Sequence, residues 1–163
     1  NKVPGGFAST LFHEMKTGQE LTFEGPYGHF TPDYSHTGEW VFIATGTGIA
    51  PLRAMIKDVL ARGIEQKIYL IFGNRYEEDI IYKKEFEDLA AKHKNFLPFF
   101  IVSRNKEWQG LKGHVQAHLK DILKKPEGKI AYLCGLPAMV LDTRKVLLEW
   151  GFDRKMIKQE LYT

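Results

Sequence analysis

The run Trp40-Val41-Phe42-Ile43-Ala44-Thr45-Gly46-Thr47-Gly48-Ile49-Ala50-Pro51-Leu52-Arg53 constrains this chain more than any other stretch. An apolar, β-rich segment ends in a tight glycine turn and passes at once into a helix that carries proline near its start. Gly46 and Gly48 can take backbone angles closed to other residues and let the main chain approach a ligand closely. The unpaired N–H groups and the positive dipole end of the helix that follows favour an anion there, by roughly 0.3–1 kcal/mol from the dipole alone. Pro51 fits a first-turn position, where its missing N–H is no loss. A buried strand that delivers a phosphate to a helix N-terminus is the functional reading. A glycine turn that serves only packing in a parallel sheet is the other. The turn reads G-x-G-x-A-P and departs from the G-x-G-x-x-G fingerprint, and no Gly-Lys-Ser or Gly-Lys-Thr follows, which argues against a P-loop nucleotidase.

The 163 residues fit one domain, or one domain with part of another. A net charge of +3, from 23 basic and 20 acidic residues, is too mild to indicate nucleic acid, and no basic block supports it. No apolar run approaches the ~20 residues of a membrane span. The single cysteine, Cys134, excludes an internal disulfide and an iron–sulfur cluster ligated by this chain's cysteines alone. The six histidines include one i,i+4 pair, His114 and His118, with no H-E-x-x-H arrangement, so no metal site is expected. No G-x-S-x-G elbow of a serine hydrolase is present. The start, Asn1-Lys2-Val3-Pro4-Gly5-Gly6, lacks an initiator methionine and reads as part of a longer protein.

From about residue 40 strand-like and helix-like segments alternate. Strands are expected at 40–45, 67–73, 98–103, 129–134 and near 156–161, and helices at 50–62, 79–93, 114–124 and 137–150. In the second helix Ile80, Ile81, Phe86, Leu89 and Ala90 share one face, with Asp79 in its first turn. Near-continuous apolar strands indicate a sheet covered on both faces, hence βαβ units and a doubly wound α/β fold on a parallel five-stranded sheet. Right-handed crossovers then place ligands at the carboxyl ends of the strands. Those ends carry Thr45 to Gly48, Gly73 to Arg75, Ser103-Arg104 and Cys134-Gly135. Residues 1–38 differ. A helix-like piece from Ala8 to Met15 precedes Leu21 to Gly28, read as a strand and turn, with His29 to Glu39 as linker, so the domain division is 1–38 and 39–163.

These motifs resemble the plant-type branch of the ferredoxin–NADP reductase family. The resemblance rests on Thr45-Gly46-Thr47-Gly48-Ile49-Ala50-Pro51-Leu52-Arg53, Cys134-Gly135-Leu136-Pro137-Ala138-Met139 and Glu160-Leu161-Tyr162. It covers the family's whole pyridine-nucleotide domain. It extends to the end of a flavin β-barrel, where Gly6-Phe7-Ala8-Ser9 is similar to the motif at the FAD pyrophosphate and Gly25-Pro26-Tyr27-Gly28 to the last barrel strand. The family's arginine-x-tyrosine-serine flavin strand has no counterpart here. The resemblance implies a Rossmann-like NADP(H)-binding half of a flavoprotein oxidoreductase. Its parent would pass hydride between NADP(H) and FAD, and single electrons between FAD and a ferredoxin- or flavodoxin-like partner. A monomer in the cytoplasm, or in a plastid stroma in a eukaryote, is expected. The rivals are an NAD(H)-using reductase component of an oxygenase and a nucleotide-binding module without redox chemistry.

The choice of nucleotide has a physical basis. An NAD-selecting dinucleotide fold often places an acid at the end of its second strand, for the ribose hydroxyl. Here that strand ends Phe72-Gly73-Asn74-Arg75, with no acid until Glu77. Ser103 and Arg104 close the third strand, and Lys112 and Gln116 flank the next helix start. A 2′-phosphate favours such charge-assisted donors. The NADP-specific branch has serine, arginine, lysine, tyrosine and glutamine at the matching positions. This sequence keeps four and has His114 for the tyrosine, which leaves an imidazole for adenine stacking. By the same resemblance Leu136 and Met139 belong to the nucleotide site and Cys134 lies at the nicotinamide. Glu160 supplies a charge or proton, and Tyr162 stacks over the flavin. Thr163 makes the end one residue longer than the plant-type pattern.

Overall fold

The computed structural model describes residues 6–25 and 27–162. Pro26 of the Gly25–Gly28 turn, the first five residues and Thr163 lie outside the described residues. Beyond a first helix α1 (Phe7–Glu14), strands and helices alternate as β1 (Glu39–Thr45), α2 (Ile49–Ala61), β2 (Ile68–Asn74), α3 (Lys83–Lys92) and β3 (Phe96–Val102). The chain continues through β4 (Leu111–Lys112), α4 (Leu119–Leu123), β5 (Lys129–Gly135), α5 (Pro137–Trp150) and β6 (Ile157–Leu161). All strand pairs are parallel, in the order β4-β3-β2-β1-β5-β6. The sheet thus has six strands rather than five. The addition, β4, holds only two residues and pairs Ile101 with Leu111 and Val102 with Lys112, too short a run to show periodicity.

Burial explains why these apolar runs form strands. Every residue from Trp40 to Ala44 is fully buried, because helices cover both faces. Side chains alternate between faces along each strand. Trp40, Phe42, Leu70, Phe72, Tyr132 and Cys134 pack with α2 and Phe86 of α3. Val41, Ile43, Ile71, Ala131 and Leu133 pack with Leu119 and Leu123 of α4 and with Val140 and Leu147 of α5. The chain winds outward from β1 in both directions, so β1 and β5 flank the switch point at which doubly wound sheets open a crevice.

Three further expectations are corrected. The helix expected over 79–93 covers only Lys83–Lys92, because Tyr82 takes φ 61°, which ends a right-handed helix from the N-terminal side. Asp79 instead closes a 3₁₀ turn, accepting the Tyr76 N–H at 3.3 Å. The helix expected over 114–124 is a 3₁₀ turn, Val115–His118, leading into the short α4. The strand expected within Leu21–Gly28 is irregular chain in the described residues. It has no neighbouring strand to take its backbone hydrogen bonds, and an extended segment without such a partner does not form sheet.

The segment 30–36 packs directly onto the α/β unit. Phe30 meets Tyr132 edge-on at 5.9 Å, and the Asp33 N–H donates to the Tyr132 hydroxyl at 2.7 Å. The Tyr34 hydroxyl donates to the Asp58 carboxylate, and the Arg62 guanidinium lies 4.0 Å from the Tyr34 ring centre. At the amino edge of the sheet, the buried Lys129 ammonium pairs with Glu39 at 2.7 Å.

Candidate functional site

The carboxyl edge is built by two turns that touch. Thr45 closes β1, and Gly46 enters a 3₁₀ turn at φ 51°. A Cβ on Gly48 would lie 2.3 Å from the Cys134 carbonyl oxygen and 2.6 Å from the Gly135 Cα. Gly135 has φ 145°, and a Cβ there would meet Thr45 Oγ1 at 2.4 Å. The Leu136 N–H donates to that same Oγ1 at 3.4 Å. Only glycine at 48 and 135 lets the ends of β1 and β5 come together this closely. Gly73, at the end of β2, is similarly confined, with Val115 Cγ1 2.7 Å from its missing Cβ.

Two helices begin at this junction. Neither α2, whose N-cap is Gly48, nor α5, whose N-cap is Leu136, has a side-chain cap. Pro51 is the third residue of α2, and Pro137 opens α5. Two uncapped, positively polarised helix starts therefore converge between β1 and β5, an arrangement suited to a diphosphate. Leu136 is exposed beside them, whereas Met139 is buried beneath Gly135, its Sδ accepting the Thr143 hydroxyl at 3.4 Å. Thr47 is exposed at the mouth.

On the β6 side, sheet register pairs Cys134 with Glu160, and the Tyr162 N–H donates to the Gly135 carbonyl at 3.0 Å. The Tyr162 ring packs against the core cluster that contains Cys134. Burial, with the Glu160 charge adding to it, pushes the Cys134 thiol up to about 11, so it is neutral near pH 7. Burial likewise raises Tyr162. The three residues singled out at the nicotinamide are thus neighbours, with Cys134 fully buried and Tyr162 and Glu160 partly exposed.

On the β2–β3 side, the Ser103 N–H and hydroxyl both donate to the Asn74 carbonyl, at 3.0 and 3.3 Å, and the Arg104 N–H donates to the Arg75 carbonyl at 2.8 Å. These bonds set two exposed arginines side by side, neither ion-paired among the described residues. Lys112 reaches back to the Lys106 carbonyl at 2.8 Å, and its own carbonyl meets His118 Nε2 at 2.8 Å. His114 is exposed at the start of its 3₁₀ turn. Gln116 donates to the Met139 carbonyl at 3.4 Å and so faces α5.

Two predicted residue sets make their contacts elsewhere in the chain. Arg53 is engaged within the protein. Its Nε donates to Glu85 at 2.8 Å, and its guanidinium lies 4.5 Å from the Tyr82 ring centre. Gly6, Phe7, Ala8 and Ser9 open α1, a helix without a buried residue, and the hollow that Gly6 and Phe7 line is completed by Thr10, Leu11 and Glu14 of the same helix. As a flavin site these residues are incomplete, whereas the twin helix starts and flanking cations fit a dinucleotide. Sequence reasoning passed over Asn74, which is 9% exposed, with neither side-chain polar atom hydrogen-bonded. Its signal was a polar residue that closes an otherwise apolar strand. Among the described residues no three acidic, histidine or cysteine side chains could hold a metal ion. No helix among them is long and apolar enough to cross a membrane.

A parallel sheet wound from β1 in both directions, with two helix starts meeting at its switch point, is the arrangement of a dinucleotide-binding domain, and residues 42–145 match the family model described as the oxidoreductase NAD-binding domain. The chain belongs to the ferredoxin–NADP reductase family of flavin-dependent oxidoreductases. It is 36% identical to ferredoxin–NADP reductase B of Sorangium cellulosum, over 99% of this chain and 69% of that protein. It is 35% identical to DmpP, the reductase component of phenol 2-monooxygenase from Pseudomonas sp. strain CF600, over 99% of this chain and 47% of that protein. The fold superposes on the Amycolatopsis cytochrome P450 reductase GcoB with a TM-score of 0.88 at 28% identity, covering 99% of this chain and 50% of that one. The chain thus spans about half to two-thirds of these proteins.

Proposed function

We propose that this chain is the NADP(H)-binding half, 39–163, of a flavin-dependent reductase, preceded over 1–38 by the end of its flavin domain. One observation carries the reading: adjacent parallel strands bring three chemistries to their carboxyl ends. The exposed cations Arg75 and Arg104, with Ser103 and Lys112, stand at one end and suit a 2′-phosphate. His114 and Gln116 flank the adenosine. The turn Thr45-Gly46-Thr47-Gly48 and the start of α5 at Gly135-Leu136 hold the pyrophosphate on the two helix starts, with Gly73 and Pro51 shaping the backbone around it. Cys134, Glu160 and Tyr162 receive the nicotinamide at the other end.

FAD, when bound, would supply the exchange between two-electron hydride chemistry and single-electron transfer. The chain's own contribution is to fix where the nicotinamide lies, since reaction needs the two rings in close register. Tyr162 packs against the core cluster that holds Cys134, and Met139 supports the β5–α5 turn from beneath. Gly6 to Ser9 supply only one edge of the flavin site. A small ferredoxin- or flavodoxin-like protein is the electron partner of the monomeric reductase.

Calorimetric titration with NADP, 2′,5′-ADP and NAD tests the reading. Tighter binding of the first two is expected, and equal affinities would favour the second reading. That alternative, an NAD(H)-using reductase component of an oxygenase, is supported by the 35% identity to DmpP.

A further inference from the structure

Tyr82 stands in the left-handed region, at φ 61° and ψ 16°, where a bulky side chain meets steric resistance that glycine escapes. The other non-glycine residue described with positive φ is Lys124, at the C-cap of α4. Tyr82 instead precedes a helix. Backbone strain of this kind persists only where the surroundings over-determine it, and it concentrates at ligand and active sites.

The conformation has a specific consequence. It brings the Tyr82 ring to 4.5 Å from the Arg53 guanidinium. In the first turn of α3, Glu85 accepts the Arg53 Nε–H at 2.8 Å and approaches Lys57 at 3.3 Å. Arg53 and Lys57 lie one turn apart on the same face of α2, so the start of α3 holds α2 at two points. Arg53 follows Pro51 by two residues, close behind the glycine turn on which the pyrophosphate is placed.

We infer that Tyr82 and Glu85 are positioning residues for the dinucleotide, acting through Arg53 to hold the start of α2 in its anion-binding position. Arg53 is the link in this brace rather than a direct phosphate ligand. The inference rests on the reading of the carboxyl edge as an NADP(H) site. A helix start favours an anion only while its amides converge on one point, and a loosely held turn must be ordered at the expense of binding energy. Since the pyrophosphate is common to both nucleotides, the brace serves NADP and NAD alike.

The test is calorimetric titration of the full chain with NADP and with NAD, alongside thermal melting. The variants are Tyr82→Asn, Tyr82→Phe and Glu85→Gln, with Arg104→Ala as the comparison. Asparagine tolerates the left-handed region but lacks the ring. Tyr82→Asn should therefore weaken both nucleotides by the same factor, roughly two- to fivefold, the scale of an exposed cation–π contact. Its melting temperature should equal or exceed that of the parent. Tyr82→Phe should restore parental affinity, and Glu85→Gln should again weaken both nucleotides equally, a result that decides the question even if Tyr82→Asn does not fold. A lowered melting temperature with unchanged affinities would reduce Tyr82 to a packing residue and overturn the inference. A loss confined to NADP, as expected for Arg104→Ala, would also overturn it by making Arg53 a 2′-phosphate ligand. Failure of the parent chain to bind either nucleotide would overturn the functional reading and the brace with it. Parental binding with unchanged variants overturns the brace alone.

Discussion

Gly48 and Cys134 are in backbone contact: a single carbon added at Gly48 would sit 2.3 Å from the Cys134 carbonyl oxygen. The nearest atoms belong to main chain on both sides of the contact, so no side-chain rotation can relieve it. The β1–α2 turn and the end of β5 are consequently one unit, and the two helix starts are held relative to each other by this contact.

Gly48→Ala should therefore push the turn away from β5. Overpacking of this kind costs about 1–3 kcal/mol. Urea denaturation should register that loss, and calorimetry should show weakened binding of both NADP and NAD. Parental stability and affinity in this variant would show that the two turns are not coupled.

Arg104→Ala should separate the nucleotides. Losing a charge-assisted bond to the 2′-phosphate is expected to cost roughly 1.5–3 kcal/mol for NADP and little for NAD. Arg104 is exposed at the end of β3 and is held by its backbone N–H alone, so folding stability should barely change. Titration with the two nucleotides checks this. Equal losses would place Arg104 at the pyrophosphate instead.

The Cys134 thiol gives a pH dependence with a definite sign. Burial raises it from an ordinary 9.0 to about 11. The unfolded chain therefore gives up this proton at lower pH than the folded one. The stability tied to the neutral thiol is complete below pH 9 and is lost as pH rises towards 11. Alkylation by iodoacetamide should be slow at pH 8, where the buried thiol is almost wholly un-ionised. Tyr162→Ser, by loosening the packing around the thiol, should accelerate it. If Tyr162 also occupies the place of the nicotinamide, the same variant should bind NADP more tightly while leaving 2′,5′-ADP unchanged. Fast alkylation of the parent at pH 8 would contradict the burial.

At the opposite edge, Lys129 is almost wholly buried and depends on Glu39. Glu39→Ala strands that ammonium and should destabilise the fold by about 3–5 kcal/mol. Replacing the lysine as well, in Glu39→Ala with Lys129→Met, should recover much of the loss. Nucleotide affinity should be untouched in both, since this edge lies across the sheet from the two helix starts. Chemical denaturation of the two variants measures the difference.

Much of this protein follows from local sequence. The five longer strands, the helices α2 and α5 and the glycine turn between Thr45 and Ile49 are legible because they depend on burial periodicity, proline placement and glycine's freedom, all written within a few neighbouring residues. The two-residue strand β4 is not, because its pairing is supplied wholly by Ile101 and Val102. Nor is the shortened α3, whose start is dictated by the conformation of Tyr82 against Arg53, a residue of another helix. The same holds within the site. That Cys134, Glu160 and Tyr162 are neighbours comes from the register of β5 and β6, and that Arg53 is tied to Glu85 comes from the packing of α2 against α3. Sequence by itself determined which residues could meet a dinucleotide, since that depends on their chemistry and their place at strand ends. Tertiary structure alone decided which of them sit together at the strand ends and which are bonded elsewhere, because contacts across the sheet and between helices depend on register and packing that no local pattern encodes.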